Sequence, residues 1–491
     1  MESIKSNSSE QNSIELNKKE NSRRLLMISG SQIKALVLIS LPLVFYACIG
    51  QIFQLIDTII AANMSANTVS TVSFVAQLEK MIVAIATALS VGGGVLIGRT
   101  FGSGDMQKFR REVNTLFFLG IFAGLAILIL TIPGMHTILK LLKMPDELLL
   151  QGTVYSSLLI GSCLFQFINT IFFAIQKAKG TTKIIMFGNL LVLAIKTSLN
   201  ILTLNLIKMN LISSDAGIYF LPIATILAHF TLTVIAFFNM TSKKNPFRLD
   251  FKLCEFKSFF LKPVANLSIP VFFEKFIFAF GKAIVNSMCA SLGTTVIGAL
   301  GVSDRICGLS TNPISGFQEA ESSLVSNNIG AKQIERAVSF FYRTLILTMS
   351  YTIIFFLITG IFKSQIIGTF AKGDADFAAE ISQIYNWERF DTILVALNTS
   401  VMGLLYGFGK TKVSMVINIS RLFVFRIPFL LLFLYAPGLY AKVGLAGIGM
   451  AMCISNSCTG ITAGIYAFCF IRKLKKSDGQ KQNLQKSEST K

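Results

Sequence analysis

The first chemically conspicuous side chain is Asp57, which interrupts the apolar stretch Leu41 to Asn63, LPLVFYACIGQIFQLIDTIIAAN. A hydrocarbon core of about 30 Å is crossed by about 20 apolar residues, and a carboxylate inside such a span costs about 3 kcal/mol on insertion scales. Asp57 therefore either reaches water near the outer end of its span or holds a proton or cation within it. Other ionisable side chains recur in equally apolar surroundings. Glu79, Lys80 and Lys196 lie in the first half of the chain; Glu274, Lys275, Lys282, Arg305, Glu319, Glu321, Glu388, Arg389, Asp391, Arg421 and Arg426 lie in the second. This much interior charge requires a wet or polar interior, where burial raises a carboxyl pKa and a nearby cation lowers it, so that protons or ions are bound and released. Glu79 and Lys196, both near mid-membrane depth, can pair as structural partners or serve the chemistry. The carboxylates of the second half can likewise salt-bridge to Lys275, Lys282 or Arg389.

The elements that must position these groups are membrane-spanning helices. The chain has 491 residues, 53% of them hydrophobic and only 14% charged, with a mean hydropathy of +0.64. That composition describes a polytopic membrane protein. Residues 1–33 are polar and contain no signal-peptide core, so they read as a disordered tail. Twelve apolar spans follow, near 34–62, 68–97, 112–132, 147–175, 183–207, 218–240, 263–290, 295–326, 337–362, 378–408, 413–435 and 444–471. Pro42, inside the first, cannot donate to the helix ladder and supplies a bend there.

An even number of spans puts both termini on one side. The formal charge of +20 is spread over short loops, with about 31 Lys and Arg in the tails and loops of the terminal side and about 6 opposite. Basic residues mark the cytoplasmic side, so both termini are expected inside the cell, and nucleic acid is not the expected partner. Matching residues recur at an offset of 228 to 230: Pro42 with Pro270, Gly102 with Gly330, Gly180 with Gly409, Asn189 with Asn418, and AGI at 216–218 with AGI at 446–448. Two halves of six spans each are implied, in the same orientation and related by an axis along the membrane normal. The expected domains are thus the tail 1–33, a first lobe 34–240, a polar connector 241–262, a second lobe 263–472 and a basic tail 473–491.

Several chemistries are disfavoured. The eight cysteines form no CxxC pair and mostly fall in apolar stretches, as inert buried thiols do. His136 and His229 are too few for metal chemistry by themselves; His229, one turn after Thr225, is either a hydrogen-bonded structural residue or a titrating one. Gly92, Gly93 and Gly94 occur without GxxxxGK[ST] or GxGxxG and suit close helix packing. With no GxSxG or paired-His motif, an intramembrane enzyme has no support. Most of the 43 phenylalanines must face lipid or neighbouring helices.

The LPL opening with Asp57 fifteen residues after Pro42, the segment SVGGGVLIGRTFGSGD, its counterpart NNIGAKQIERA, and the turns KAKGTTK and GFGKTK together resemble the multidrug and toxic compound extrusion (MATE) family, over roughly 34–472. The resemblance implies an all-α polytopic fold of twelve transmembrane helices in two pseudo-symmetric six-helix bundles forming a V. It also implies secondary active antiport: export of amphipathic small molecules such as drugs and toxic organic cations, by alternating access, against inward H+ or Na+. No other cofactor is expected. The coupling site carried over from the family is Asp57 with Asn200 and Thr225, which is also the one place where Na+ would bind. At about 1.5 Å per residue these lie about 8, 12 and 12 Å below the outer ends of their spans, so they can meet at one level. Leu204 stands where the family often has a second aspartate, and Lys196 lies one turn before Asn200; both favour a proton over sodium. Some members couple through the second lobe, where Glu274 and Asp391 are the candidates. A monomer in the cell membrane, with a small-molecule substrate and lipid around it, completes the expectation. The alternative cargo is a lipid-linked or peptide-like substrate moved by a related flippase, for which the interior cations Lys196, Lys275, Lys282, Arg421 and Arg426 would suit an anionic headgroup.

Overall fold

The computed structural model describes residues 18–489 except 19, 63–65, 143, 145, 243–244, 372 and 437, and leaves out further side chains at 54–55, 57–59, 61–70, 73–74, 147–148, 214–215, 290, 294 and 477–489. The Asp57 side chain thus lies outside the described residues. The long helices are α1 (Gln32–Ala62), α2 (Ala66–Ser103), α3 (Met106–Thr131), α4 (Asp146–Ala178), α5 (Thr182–Lys208), α6 (Phe220–Thr241), α7 (Ser258–Ala290), α8 (Thr294–Thr311), α9 (Ile314–Gly330), α10 (Ile334–Ile361), α11 (Ala375–Gly407), α12 (Thr411–Ser420), α13 (Ile427–Tyr435) and α14 (Ala446–Ser489). Among the described residues, ten helical stretches are long and apolar enough to cross a membrane, with α12 and α13 counted as one continuous stretch. The other two expected spans are α7, which carries Glu274, Lys275 and Lys282, and the pair α8 and α9, separated at Asn312 and Pro313. Proline lacks the N–H that would continue the ladder there. The protein is an all-α multi-pass membrane protein.

The chain divides into two compact units, Met1–Phe280 and Gly281–Lys491, with the division inside α7. In the first unit the glycine run does what its small residues suggested: a Cβ on Gly92 would meet Val264 and Ser268 of α7, one on Gly93 would strike Leu116 of α3, and one on Gly94 would rest on Ala174 of α4. Three helices approach α2 along one turn because three side chains are missing. Pro42 lies within α1, and the Leu38 carbonyl that it leaves unserved accepts Thr182 Oγ1 at 3.5 Å. In the second unit the core joins Val285, Cys289, Ile306, Cys307, Tyr385, Leu422, Leu430 and Met452.

The duplication extends to backbone detail. Gly180 and Gly409, which match in the sequence repeat, end α4 and α11 with φ of +70° and +69°. At the other repeated turn Gly104 has φ +87° and its counterpart Lys332 has φ +61°, so a lysine adopts the left-handed conformation that glycine takes without steric cost. One irregularity separates the halves. Residues Arg421–Arg426 form a π turn between α12 and α13, which accommodates one residue more than an α-helix. It lies in the interval where the repeat offset grows from 229 (Asn189 with Asn418) to 230 (AGI with AGI). With that residue counted, Arg426 stands where the first half has Lys196.

The segment read as a disordered tail through residue 33 is structured from Glu20 onward. Residues 20–28 are helical and Met27 is 1% exposed. Arg24 donates to the Gly102 carbonyl at 3.0 and 3.1 Å, a cation at the carbonyl end of α2 where the helix dipole favours one. Glu20 accepts Lys179 Nζ at 3.1 Å. The connector is likewise strapped down: the Asp250 N–H donates to Asn114 at 2.6 Å, the Glu255 N–H donates to Thr115 at 2.9 Å, and Arg111 pairs with Glu255 at 2.8 Å. Rings from the connector, Phe247 and Phe251, pack edge-on against Phe109 and Phe118 of α3. At the other terminus α14 continues through the residues read as a basic tail, to Ser489.

Candidate functional site

The interior charges separate into two groups, one in each unit. In the first, Glu79 on α2 accepts Gln166 Nε2 of α4 at 2.8 Å, and the same nitrogen reaches Ser162 at 3.0 Å. Glu79, Lys80, Val83, Ala84, Thr87, Gln166, Lys275 and Ala279 line a cavity of about 410 Å3. It combines apolar wall, one carboxylate and two ammonium groups. Glu274 is 2% exposed and its neighbour Lys275 lies 3.4 Å from it.

Asn200 on α5 and Thr225 on α6 are both buried, at 3% and 6% exposure, and Thr225 Oγ1 donates to its own helix at Leu221. One turn further along α6 stands His229, whose carbonyl accepts Asn169 Nδ2 at 3.0 Å and Thr233 Oγ1 at 2.9 Å. With the Asp57 side chain outside the described residues, the meeting of Asp57, Asn200 and Thr225 is a matter for proposal.

The second unit brings together more than the sequence singled out. Asn456 on α14 donates through Nδ2 to Asp391 Oδ2 of α11 at 2.7 Å and accepts Arg426 of the π turn on Oδ1 at 2.8 Å. Arg426 is 4% exposed and also donates to Ser455 at 3.1 Å. One turn before Asp391, Glu388 accepts Ser303 Oγ of α8 in a short hydrogen bond. Asp304, next to Ser303, pairs with Lys282 of α7 at 2.9 Å. Lys282 and Asp304 are partly open to solvent, with side chains 42% and 35% exposed, whereas Glu388 and Asp391 are 5% and 2% exposed. The cluster runs from an accessible ion pair inward to buried carboxyl groups. Among the described residues no group of three or more His, Cys, Asp or Glu is placed to hold a metal ion.

The salt-bridge reading is therefore redistributed. Lys282 pairs with Asp304, Asp391 accepts Asn456, which in turn accepts Arg426, and Arg389 lies over the Phe356 ring at 4.2 Å and donates to the Phe356 carbonyl. Asp304, Ser303, Ser455 and Asn456 were not singled out from sequence. Asp304 carried the signal that drew attention to Asp57, a carboxylate in an apolar span. For Asn456 and the two serines no such signal exists, because neutral polar residues are common in transmembrane helices.

Two stretches of the chain, 42–202 and 270–432, match the model of the MatE family, and their starts and ends differ by 228 and 230, the offsets of the internal repeat. The chain is 22% identical over 426 residues to a probable multidrug resistance protein NorM of Thermotoga maritima, covering 85% of this chain and 88% of that protein. It is 22% identical over 447 residues to a probable multidrug resistance protein YpnP of Bacillus subtilis, covering 89% and 95%. The multidrug export protein MepA of Staphylococcus aureus is 21% identical over 301 residues, 61% of this chain and 65% of MepA. In fold the chain is similar to the crystal structure of a MATE protein in complex with MaL6, with a TM-score of 0.85 at 17% identity over 92% of this chain and 99% of that one. A MOP superfamily transporter from Pyrococcus furiosus gives 0.84 at 17% identity over 92% and 98%. These relatives are transporters and not enzymes. A family model matched twice at the spacing of the repeat, on an all-helical multi-pass fold, establishes that this chain belongs to the MatE family of multidrug efflux transporters.

Proposed function

We propose that the protein is a proton-coupled antiporter that exports amphipathic small molecules across the cell membrane by alternating access, with both termini cytoplasmic. The substrate class is supported by relatives called multidrug resistance and multidrug export proteins. The orientation is supported by the bias of Lys and Arg toward the terminal side.

The observation that carries the coupling is the convergence of Asp304, Glu388 and Asp391 with Lys282 and Arg426 inside the second unit. Glu388 and Asp391 lie one turn apart on α11 and are 5% and 2% exposed, and two buried carboxyl groups so close are relieved by taking up a proton. A proton arriving there neutralises a carboxylate and releases its hold on Lys282 or on the chain Asn456 and Arg426, which biases the arrangement of α8, α11 and α14. Departure of the proton restores the hold. The resident ammonium and guanidinium groups repel a second cation at the same oxygens, which favours H+ over Na+. Asp57 with Asn200 and Thr225 is the corresponding proposal for the first unit, and Pro42 is the hinge that would report its protonation. The flippase alternative draws on free interior cations; Lys282 and Arg426 are engaged with internal partners, which weighs against it.

The test is substrate-triggered flux in proteoliposomes with independently imposed proton and sodium gradients, comparing the wild type with Asp391→Asn and Asp57→Asn. Proton dependence lost in Asp391→Asn assigns coupling to the second unit, and loss only in Asp57→Asn moves it to the first. Flux that follows sodium alone refutes the choice of ion, and flux indifferent to both gradients favours the flippase.

A further inference from the structure

The second unit holds another carboxyl group, remote from the cluster just described. Glu321 on α9 is 0% exposed, and among the described residues neither of its oxygens has a hydrogen-bond partner. It faces α11 so closely that a Cβ on Gly403 would come within 2.6 Å of Glu321 Oε2. The charged side chains of the surrounding helices are occupied elsewhere. Glu319 is exposed; Glu335, Arg336 and Arg343 lie toward the start of α10, with Arg336 over Phe340 and Arg343 on Ser339. On α11 the nearest charge, Asp391, is twelve residues from Gly403, about 18 Å along the helix.

The internal repeat shows that this crossing has been made polar in one half only. At the local offset of 228, Glu321 takes the place of Gly93, which in the first unit lets Leu116 of α3 approach α2. The counterpart of Leu116 is Thr344, 0% exposed on α10. One turn further the first unit has Gly120 against Ile171; the second has Thr348 hydrogen-bonded to Ser400 at 2.7 Å. Another turn on, Gly124 is replaced by Thr352, also 0% exposed. An apolar seam of glycine, leucine and isoleucine has become a carboxyl group followed by a file of hydroxyls at every fourth residue of α10. A bare charge enclosed without donors is among the costliest arrangements in a fold, whereas the uncharged acid fits it.

We propose that Glu321 is a second proton-binding site of this transporter, held as the carboxylic acid in this packing and emptied to water when the crossing of α9, α10 and α11 loosens. Its O–H proton passes to a water molecule and leaves a carboxylate that the entering water solvates. Glu321 lies nine residues before the end of α9 at Gly330, about 14 Å, on the side that carries the turns after α9 and α11. The charge bias reads that side as cytoplasmic. The release role, but not the proton binding, rests on the proposed antiport.

Infrared difference spectra of the wild type and Glu321→Gln in liposomes test the binding directly. The expected result is a protonated-carboxyl C=O band present in the wild type and absent from the variant; identical spectra would mean that Glu321 is ionised and would overturn the proposal. Glu321→Met, of similar length, gives the same comparison if the glutamine variant does not fold. Flux tests the release role: proton-driven export is expected to fall about a hundredfold in Glu321→Gln, while gradient-free substrate exchange persists. Unchanged proton-driven export would remove Glu321 from the route. Should wild-type flux ignore a proton gradient while the band is still lost in the variant, the antiport reading falls and the binding site stands.

Discussion

Replacing Arg426 with methionine tests whether the second-unit cluster is held by charge or by ordinary hydrogen bonds. Arg426 is 4% exposed and donates to Ser455 at 3.1 Å and Asn456 at 2.8 Å, and Asn456 in turn donates to Asp391 at 2.7 Å. Polar side-chain interactions inside membrane bundles average about 0.6 kcal/mol in double-mutant cycles, so two lost hydrogen bonds amount to about 1.2 kcal/mol. Removing one member of a buried charge set leaves its partner uncompensated, which costs about 3 to 5 kcal/mol. The electrostatic effect dominates, and Arg426→Met is expected to lose about 4 kcal/mol. In the double variant with Asp391→Leu the stranded carboxylate is gone, so at least about 2 kcal/mol of that loss should be recovered as coupling. The assay is thermal unfolding in detergent followed by a thiol-reactive dye, because Cys289 and Cys307 are free and buried in the core of the same unit. A single variant within about 0.5 kcal/mol of the wild type, or additive losses in the double variant, would refute the claim that charge holds the site.

Three further perturbations probe the frame. Lys332→Gly relieves a left-handed residue at φ +61° and should raise the unfolding midpoint by the equivalent of about 1 kcal/mol, with Gly104→Ala lowering it by a similar amount; the same thermal assay reads both. Gly281→Ala places a methyl group into Leu422 of the π turn, whereas Gly301 on α8 has nothing within 4 Å; the first should destabilise strongly and lower expression, and Gly301→Ala should be neutral or stabilising by up to about 1 kcal/mol. Lys179, with a side chain 7% exposed, lies in the turn between α4 and α5, and burial pulls its ammonium below the usual lysine range against the opposing pull of Glu20. The unfolded chain then binds that proton more tightly than the folded one. Stability of the wild type relative to Lys179→Met should accordingly rise with pH in the alkaline range below about 10.4. A difference that is flat with pH would contradict the assignment.

Much of the architecture was legible because a membrane leaves few choices. A stretch of about 20 apolar residues must satisfy its own backbone, and the helix does so; the twelve stretches read from hydropathy are accordingly helical among the described residues, one of them broken at Asn312 and Pro313. The glycine run announced close packing because only missing side chains allow it, and the repeated turns at Gly180 and Gly409 kept their backbone conformation as well as their residues. The helical segment from Glu20, with its buried Met27, was not legible, since a short polar helix carries no composition signal that separates it from a tail.

Which interior charges meet was decided only by tertiary structure. Asp391 and Arg426 are joined through Asn456 on a third helix, and Lys282 finds Asp304 rather than Asp391 or Glu388 as its partner at 2.9 Å. Arg389, four residues after Tyr385 and thirty-three after Phe356, turns to aromatic faces. The physical reason is that helices apolar on every side have no amphipathic stripe to reveal their rotation. Sequence determined that charges lie inside this membrane protein and how deep they sit along each helix. Their direction around the helix axis, and therefore the identity of the site, follows from the packing of side chains such as Gly281 against Leu422 and Gly403 against Glu321, which no single segment encodes.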